Sequence, residues 1–135
     1  RIVPTTDGQI IGIGNTQVKL MHTPGHTPGS QCILFGDGRV LTGDTLFVGC
    51  CGRVDLPGGS VESLYNSLQK RLATLPNDTI LYPAHLYNRL MTSVEVEKGK
   101  GALVPLAYHD WCRAIGQVQS NCNSDQNQSY KQAPT

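Results

Sequence analysis

The sequence predicts a single α/β domain. Short apolar runs of strand length alternate with turns rich in glycine, proline and asparagine. One longer stretch, residues 61–75, places apolar side chains three and four positions apart, as an amphipathic helix does. With 135 residues, of which 39% are apolar, the chain has the size of one ordinary domain.

Four of the apolar runs predict two β-hairpins. Gly14 and Asn15 supply a tight turn with positive φ between the first two runs. A Gly-Asp-Gly sequence supplies the turn between the other two. The four predicted strands are residues 9–14, 16–21, 31–35 and 39–41.

The second half of the chain predicts one clear helix and several less regular segments. Ser60 is suited to cap the helix, which should stop before Pro76. A short buried strand is expected at residues 79–82 and a second helix at about 108–115. Residues 42–59 are glycine-rich and predict a long functional loop, while residues 86–105 show no clear period.

The domain is expected to occupy residues 1–116. The polar residues 117–135 contain few apolar side chains, so we expect a disordered tail there. The chain begins with Arg1 and runs almost at once into strand-like sequence, which suggests a processed or partial chain.

Charge and hydropathy argue against two classes of function. Eleven basic and ten acidic residues leave a net charge of +1 without a basic block, so no nucleic-acid contact is predicted. No apolar run approaches the roughly 20 residues that cross a bilayer, so no membrane insertion is predicted either.

The cysteines predict a reduced protein. There are five of them, an odd number, and two are neighbours, which suits a disulfide framework poorly. We therefore expect free thiols and a location in the cytoplasm or the mitochondrial matrix. No Cys-x-x-Cys pair is present, which argues against a structural zinc knuckle. The cysteines are Cys32, Cys50, Cys51, Cys112 and Cys122.

The stretch HTPGHTPGS, residues 22–30, places a Thr-Pro-Gly triplet on each side of His26. Proline fixes φ and glycine reaches backbone angles closed to other residues. Such a loop can hold an imidazole rigidly at the end of a strand. The same triplets could equally form a plain tight turn that leaves His26 exposed.

Two further polar side chains follow predicted strands. Asp44 comes after the strand at residues 39–41, and His85 comes after the strand at residues 79–82. Taken singly, Asp44 could be a turn residue and His85 a histidine beside the core. Imidazole and carboxylate groups that converge with His26 at one edge of a sheet would suit zinc, iron or manganese.

Three motifs together resemble a known family. HTPGHTPGS, LTGDTLFVGCCGR and YPAH stand in this order over about residues 7–116. They resemble the C-terminal half of a metallo-β-lactamase-fold protein, in the branch of glyoxalase II and the persulfide dioxygenases. The resemblance implies a partial version of that family's αββα sandwich.

The resemblance also implies roles for individual residues. His26 and Asp44 resemble metal ligands of the family, Asp44 being the one that bridges metals, and His85 resembles a ligand of the second metal. His22 matches a position that is not a ligand. Arg53 and Tyr87 resemble residues beside the glutathione and substrate pocket, and the Arg53 fork could pair a carboxylate. From the residues alone, Arg53 could instead form a surface salt bridge.

One motif of the family is absent from the chain. The His-x-His-x-Asp-His stretch that supplies the first metal ligands does not occur, and His109 has no ligand spacing. We therefore expect Fe(II) or Zn(II) only together with a missing N-terminal half, and no turnover by this chain alone. That half, or another protein, should cover the sheet. A complete enzyme would act on a glutathione-derived thiol, either a persulfide or a thioester. The alternative is a catalytically inactive structural or interaction subunit.

Overall fold

The computed structural model of the chain describes residues 1–124. It contains eight strands and three α-helices, so the predicted α/β class is confirmed. The strands are Ile10–Ile13 (β1), Thr16–His22 (β2), Gln31–Phe35 (β3), Arg39–Gly43 (β4), Leu46–Phe47 (β5), Cys50–Cys51 (β6), Ile80–Pro83 (β7) and Thr92–Ser93 (β8). The helices are Val61–Lys70 (α1), Val94–Lys100 (α2) and Tyr108–Ser124 (α3), and a 3-10 turn at Leu72–Thr74 follows α1.

Six of the strands form one sheet in the order β1-β2-β3-β4-β7-β8. β1 to β4 pair antiparallel in sequence order, which confirms both predicted hairpins. β4 and β7 pair in parallel, and α1 lies in the connection between them. β5 and β6 form a separate small hairpin inside the segment predicted as an irregular loop.

One face of the large sheet forms the hydrophobic core with the helices. Leu34, Val40 and Leu81 are directly paired on β3, β4 and β7, so their side chains share a face. They pack in one cluster with Leu64 of α1 and Trp111 of α3. No helix within residues 1–124 is long and apolar enough to span a membrane.

The opposite face of the same sheet carries a second apolar row, which we call the open row. It consists of Leu20, Ile33, Leu41 and Tyr82, paired in turn across β2, β3, β4 and β7. None of these residues belongs to the hydrophobic clusters found among the described residues. Leu41 is 41% exposed and Ile33 and Tyr82 are partly exposed, whereas Leu20 is only 4% exposed. This face of the sheet is therefore apolar without the helical cover that the core face has.

Helix α1 begins where the sequence predicts. The Ser60 hydroxyl accepts a hydrogen bond from the Ser63 backbone N–H, which is the expected N-cap. The regular helix ends at Lys70, and the 3-10 turn continues the predicted segment to Thr74. Leu64 and Leu68 on its apolar stripe are fully buried.

The C-terminal region is more regular than its sequence predicts. Residues 86–105 contain β8 and α2, a short helix capped by the Ser93 hydroxyl. Helix α3 runs to Ser124, so the expectation of a disordered tail is wrong for residues 117–124. Val118 packs against both hydrophobic clusters, which explains why the helix continues into polar sequence. Residues 125–135 lie outside the described residues.

The expectation that all thiols are reduced is also wrong. Cys50 on β6 and Cys122 on α3, which are 72 positions apart in the sequence, form a disulfide. Because α3 extends beyond its predicted end, it carries Cys122 back over β6. Cys32, Cys51 and Cys112 are free.

A buried carboxylate links α2 to the β5–β6 hairpin. Glu97 is 1% exposed and accepts hydrogen bonds from the backbone N–H groups of Gly49 and Ala102 and from the Thr92 hydroxyl. These donors satisfy the carboxylate inside the protein. Since Gly49 lies in the turn of the hairpin, Glu97 fixes the segment that follows Asp44.

Replacing Glu97 with alanine should lower the free energy of unfolding by about 3 kcal/mol, because each buried donor left without a partner costs about 1–3 kcal/mol. The matched control is Glu95→Ala, which removes an exposed carboxylate from the same helix and should change stability by less than about 0.5 kcal/mol. Urea denaturation measures both. Equal effects of the two substitutions would contradict the structural role of Glu97.

Candidate metal centre

Three strand ends meet at one edge of the large sheet. β2 and β4 run in the same direction because each is antiparallel to β3, and β7 is parallel to β4. The loops after these strands carry His26, Asp44 and His85. The topology therefore brings together the three side chains that the sequence singles out as candidate metal ligands.

His26 is fixed in one orientation by a backbone carbonyl. Its Nδ1 lies 2.8 Å from the Arg53 carbonyl oxygen. A carbonyl can only accept, so Nδ1 donates this hydrogen bond, and Nε2 is the ring nitrogen left to offer a lone pair. That Nε2 faces Asp44 Oδ2 at 3.6 Å. A backbone carbonyl that sets the free nitrogen of a histidine in this way is typical of metal-ligating histidines.

Asp44 lies between the two histidines. His85 Nδ1 is 2.7 Å from Asp44 Oδ1. This nitrogen does not meet the oxygen in hydrogen-bonding geometry, and Oδ1 is a buried atom without a hydrogen-bond partner. The Asp44 side chain as a whole is 35% exposed, so the carboxylate is open to the cavity on its other side.

The donor atoms are of the kind that binds a metal ion, but there are fewer of them than a metal site requires. A buried carboxylate oxygen without a hydrogen-bond partner and an imidazole lone pair aimed at the same carboxylate are electron-pair donors that suit a metal ion. Within residues 1–124, however, no group of three or more histidine, cysteine, aspartate or glutamate side chains is arranged to hold a metal ion. His26, Asp44 and His85 therefore remain candidate ligands and do not make a complete site among these residues.

The histidine-containing loop owes its shape to its own residues. His22, which the resemblance excludes as a ligand, donates from Nε2 to the Pro28 carbonyl at 2.8 Å and so closes the loop. Gly25 has φ of +143°, and a Cβ there would overlap the backbone of Leu64 at the start of α1. The loop thus rests directly on the helix, which a larger residue at Gly25 would prevent.

Gly52 packs directly behind the candidate ligands. A Cβ at this position would overlap the Asp44 carbonyl oxygen and lie 3.2 Å from the His26 Cβ. The Gly52 carbonyl accepts a hydrogen bond from Gln119 Nε2 of α3 at 2.8 Å. Residues 52 and 53 therefore hold His26 from one side and are themselves held by α3.

Aromatic rings form one wall of the site. Tyr87 stacks on His85, with 5.7 Å between ring centroids and 18° between planes. Phe47 meets both rings edge to face, at 4.8 Å from Tyr87 and 5.5 Å from His85. The predicted pocket residue Tyr87 is thus beside the candidate ligands, where it orients His85.

Arg53 lies at the mouth of the site and already has a partner. Its Nε and a terminal guanidinium nitrogen donate to the two carboxylate oxygens of Asp55 at 2.7 and 2.8 Å. This hydrogen bonding lowers the pKa of Asp55 to about 2. Both side chains are more than half exposed, so the pair is weak. Arg53 therefore forms the surface salt bridge that was its alternative role, and this pair lies at the rim of the cavity.

The candidate ligands face a cavity of about 580 Å³, a volume typical of small-molecule sites. The sequence predicts five of the residues that line it, and the structure adds residues from the β5–β6 hairpin and from α3. The sequence gives no signal for the α3 residues, because that part of the chain has the composition of a polar tail. The additional lining residues are Phe47, Cys51, Gly52, Asp55, Gly116, Gln119, Ser120 and Cys122.

Comparison with known proteins identifies the family. The model of the metallo-beta-lactamase superfamily matches residues 1–85, and the chain belongs to that superfamily. It is 33% identical to human mitochondrial persulfide dioxygenase ETHE1 over 114 residues. This aligned region covers 83% of the present chain and 45% of the human protein. It is 50% identical to hydroxyacylglutathione hydrolase of Tolumonas auensis over 78 residues. That aligned region covers 56% of the present chain and 29% of the Tolumonas enzyme.

A solved structure supports the same assignment. The crystal structure of ETHE1 from Myxococcus xanthus matches with a TM-score of 0.79 and 31% identity, over 91% of this chain and 57% of that one. The predicted fold and the resemblance to the glyoxalase II and persulfide dioxygenase branch are thus confirmed. The chain spans less than half the length of the two curated relatives.

Replacing Gly52 with alanine should destabilise the protein by about 1–3 kcal/mol, since the added methyl must displace backbone beside Asp44. The control is Gly29→Ala in the loop that carries His26, where a Cβ meets nothing within 4 Å. That variant should stay within about 0.5 kcal/mol of the wild type. Thermal or urea unfolding distinguishes them, and a neutral Gly52→Ala would contradict the close packing described above.

Proposed function

We propose that this chain is the C-terminal half of a metal-dependent enzyme that acts on a glutathione-derived thiol compound. The reaction would be persulfide oxidation or thioester hydrolysis, as the names of the two relatives indicate for those proteins. The observation that carries the proposal is the arrangement around Asp44. One carboxylate oxygen faces the His26 lone pair, and the other is buried beside His85 without a hydrogen bond.

The metal would be Fe(II) or Zn(II). His26 and Asp44 would hold it, and His85 would join them where two metal ions are bound. When bound, the metal would supply activation of dioxygen in a dioxygenase or of water in a hydrolase. The chain's own contribution is positional. The Arg53 carbonyl holds His26 with its Nε2 lone pair free, and Tyr87 and Phe47 hold His85.

The remaining ligands would come from an N-terminal half that carries the His-x-His-x-Asp-His motif. A catalytic zinc site typically has three protein ligands and one open position. We therefore expect this chain alone to bind metal weakly and to turn over neither substrate. Its expected location, the cytoplasm or the mitochondrial matrix, stays a prediction.

The same N-terminal half would cover the open row of the sheet. Leu41 is the most exposed member of this row, and removing its apolar surface from water under a second layer would be favourable. The alternative function, a catalytically inactive interaction subunit, draws on this same face, because the open row could bind another protein. Metal binding distinguishes the enzyme half from the inactive subunit, since only the enzyme half requires Asp44 to act as a metal ligand.

Zinc titration tests the metal role on the chain as it stands. Asp44→Ala should weaken zinc binding by at least about tenfold, because it removes the carboxylate shared by both histidines. Asp55→Ala is the matched control, since it removes another carboxylate of the same cavity that is paired with Arg53. Isothermal titration calorimetry gives both affinities. Equal zinc affinity in the wild type and the Asp44→Ala chain would contradict the proposal.

Binding of S-methylglutathione, which has no free thiol, tests Arg53 separately. Arg53→Ala should raise the Kd by about tenfold or more, because a charge-assisted contact to a glutathione carboxylate is lost. Arg53→Lys should recover part of the affinity, since an ammonium cannot form paired hydrogen bonds. Asp55→Ala should lower the Kd, because Asp55 competes for the same guanidinium. An unchanged Kd in Arg53→Ala would remove Arg53 from the substrate site.

A further inference from the structure

The Cys50–Cys122 disulfide lies in the wall of the cavity that contains the candidate ligands. The disulfide packs in a cluster with Phe47 and Tyr87, the two rings that contact His85. Cys122 lines the cavity and is 6% exposed, whereas Cys50 is completely buried. Of the two cysteines of the bond, Cys122 is therefore the one that borders the cavity.

The geometry points to Cys122 as a thiol-exchange site, at which a small thiol that enters the cavity forms a mixed disulfide. The thiolate attacks Cys122 Sγ, and the bond to Cys50 breaks as the new sulfur–sulfur bond forms. The electron pair leaves on Cys50 Sγ, which takes up the proton that the entering thiol released. The thiol is the only reactant, and neither an external oxidant nor a metal ion is needed. This inference does not depend on the proposed enzymatic function.

The surroundings of the other cysteines favour this site over them. Burial raises the pKa of the Cys32 thiol to about 11 and that of the Cys51 thiol to about 12. Both therefore stay protonated and unreactive at neutral pH. Cys112 is free and partly exposed, but it does not line the cavity. The disulfide is consequently the reactive sulfur group that a ligand of this cavity meets.

Exchange would change how α3 is attached to the site. Two links that α3 makes to the segment after Asp44 are the disulfide to Cys50 and the hydrogen bond from Gln119 to the Gly52 carbonyl. Exchange breaks the first link and places the bound thiol against Tyr87. The Cys50 sulfur stays beside the mixed disulfide, so removal of the free thiol shifts the exchange equilibrium back to the intramolecular Cys50–Cys122 bond. The modification is therefore reversible.

The test uses the complete chain, purified without reductant and incubated with reduced glutathione. Acid quenching, alkylation of free thiols and peptide mass spectrometry then locate the products. We expect glutathione on Cys122 and an alkylated Cys50, with about tenfold less glutathione on Cys50, because access decides which sulfur is attacked. In urea, where both sulfurs are accessible, the selectivity should disappear. Cys112→Ser is the control and should leave the adduct on Cys122 unchanged.

Three results would overturn the inference. The first is equal glutathione on Cys50 and Cys122 in the folded chain. The second is no adduct on the folded chain under conditions in which the urea-unfolded chain reacts. The third is a non-reduced chain in which Cys50 and Cys122 are both free. These readouts use the wild-type Cys50 and Cys122, so the test needs no variant that lacks the disulfide.

Discussion

The parallel pairing of β4 and β7 is the constraint on which the site depends. It places the ends of these strands side by side, so that Asp44 and His85 leave the sheet at the same edge. β2 shares their direction through its antiparallel pairing with β3 and delivers His26 to that edge. A parallel pair needs a crossover connection, and α1 supplies it while burying the core face of the sheet. The same helix supports the loop of His26 at Gly25.

Backbone groups hold two of the three candidate ligands, His26 and Asp44. The Arg53 carbonyl sets the tautomer of His26, and Gly52 lies against the Asp44 carbonyl and His26. Such contacts need a segment with a fixed path, and residues 44–55 obtain it from the short β5–β6 hairpin. Glu97 binds the turn of this hairpin, and Gln119 binds Gly52. The two C-terminal helices thus stabilise the site without supplying a candidate ligand.

Local signals in the sequence were sufficient to predict the first two hairpins, the start of α1 and the convergence of the His26, Asp44 and His85 side chains. Gly14 and Asn15, the Ser60 cap and the apolar spacing of α1 act over a few residues, so they can be read without knowing the fold. The β5–β6 hairpin, α2 and the end of α3 depend on distant partners. Glu97 has no sequence feature that distinguishes it from an exposed helix residue, because its partner Gly49 is distant in the sequence. The Cys50–Cys122 bond and the α3 wall of the cavity could not be inferred from the sequence. The polar composition of the C-terminal part of α3 gives no indication that one face of this helix packs against the site.

The N-terminal half proposed above would account for both the candidate ligands and the open row. His26, Asp44 and His85 lie at an edge of the sheet whose second face carries Leu20, Ile33, Leu41 and Tyr82 without helical cover. A second sheet laid on that face would end beside the same edge and could bring further ligands there. Two separate partners, one for the face and one for the metal, would have to meet at this edge by chance. One covering layer that also supplied ligands would be a simpler requirement, and this is the form in which the N-terminal half is proposed above.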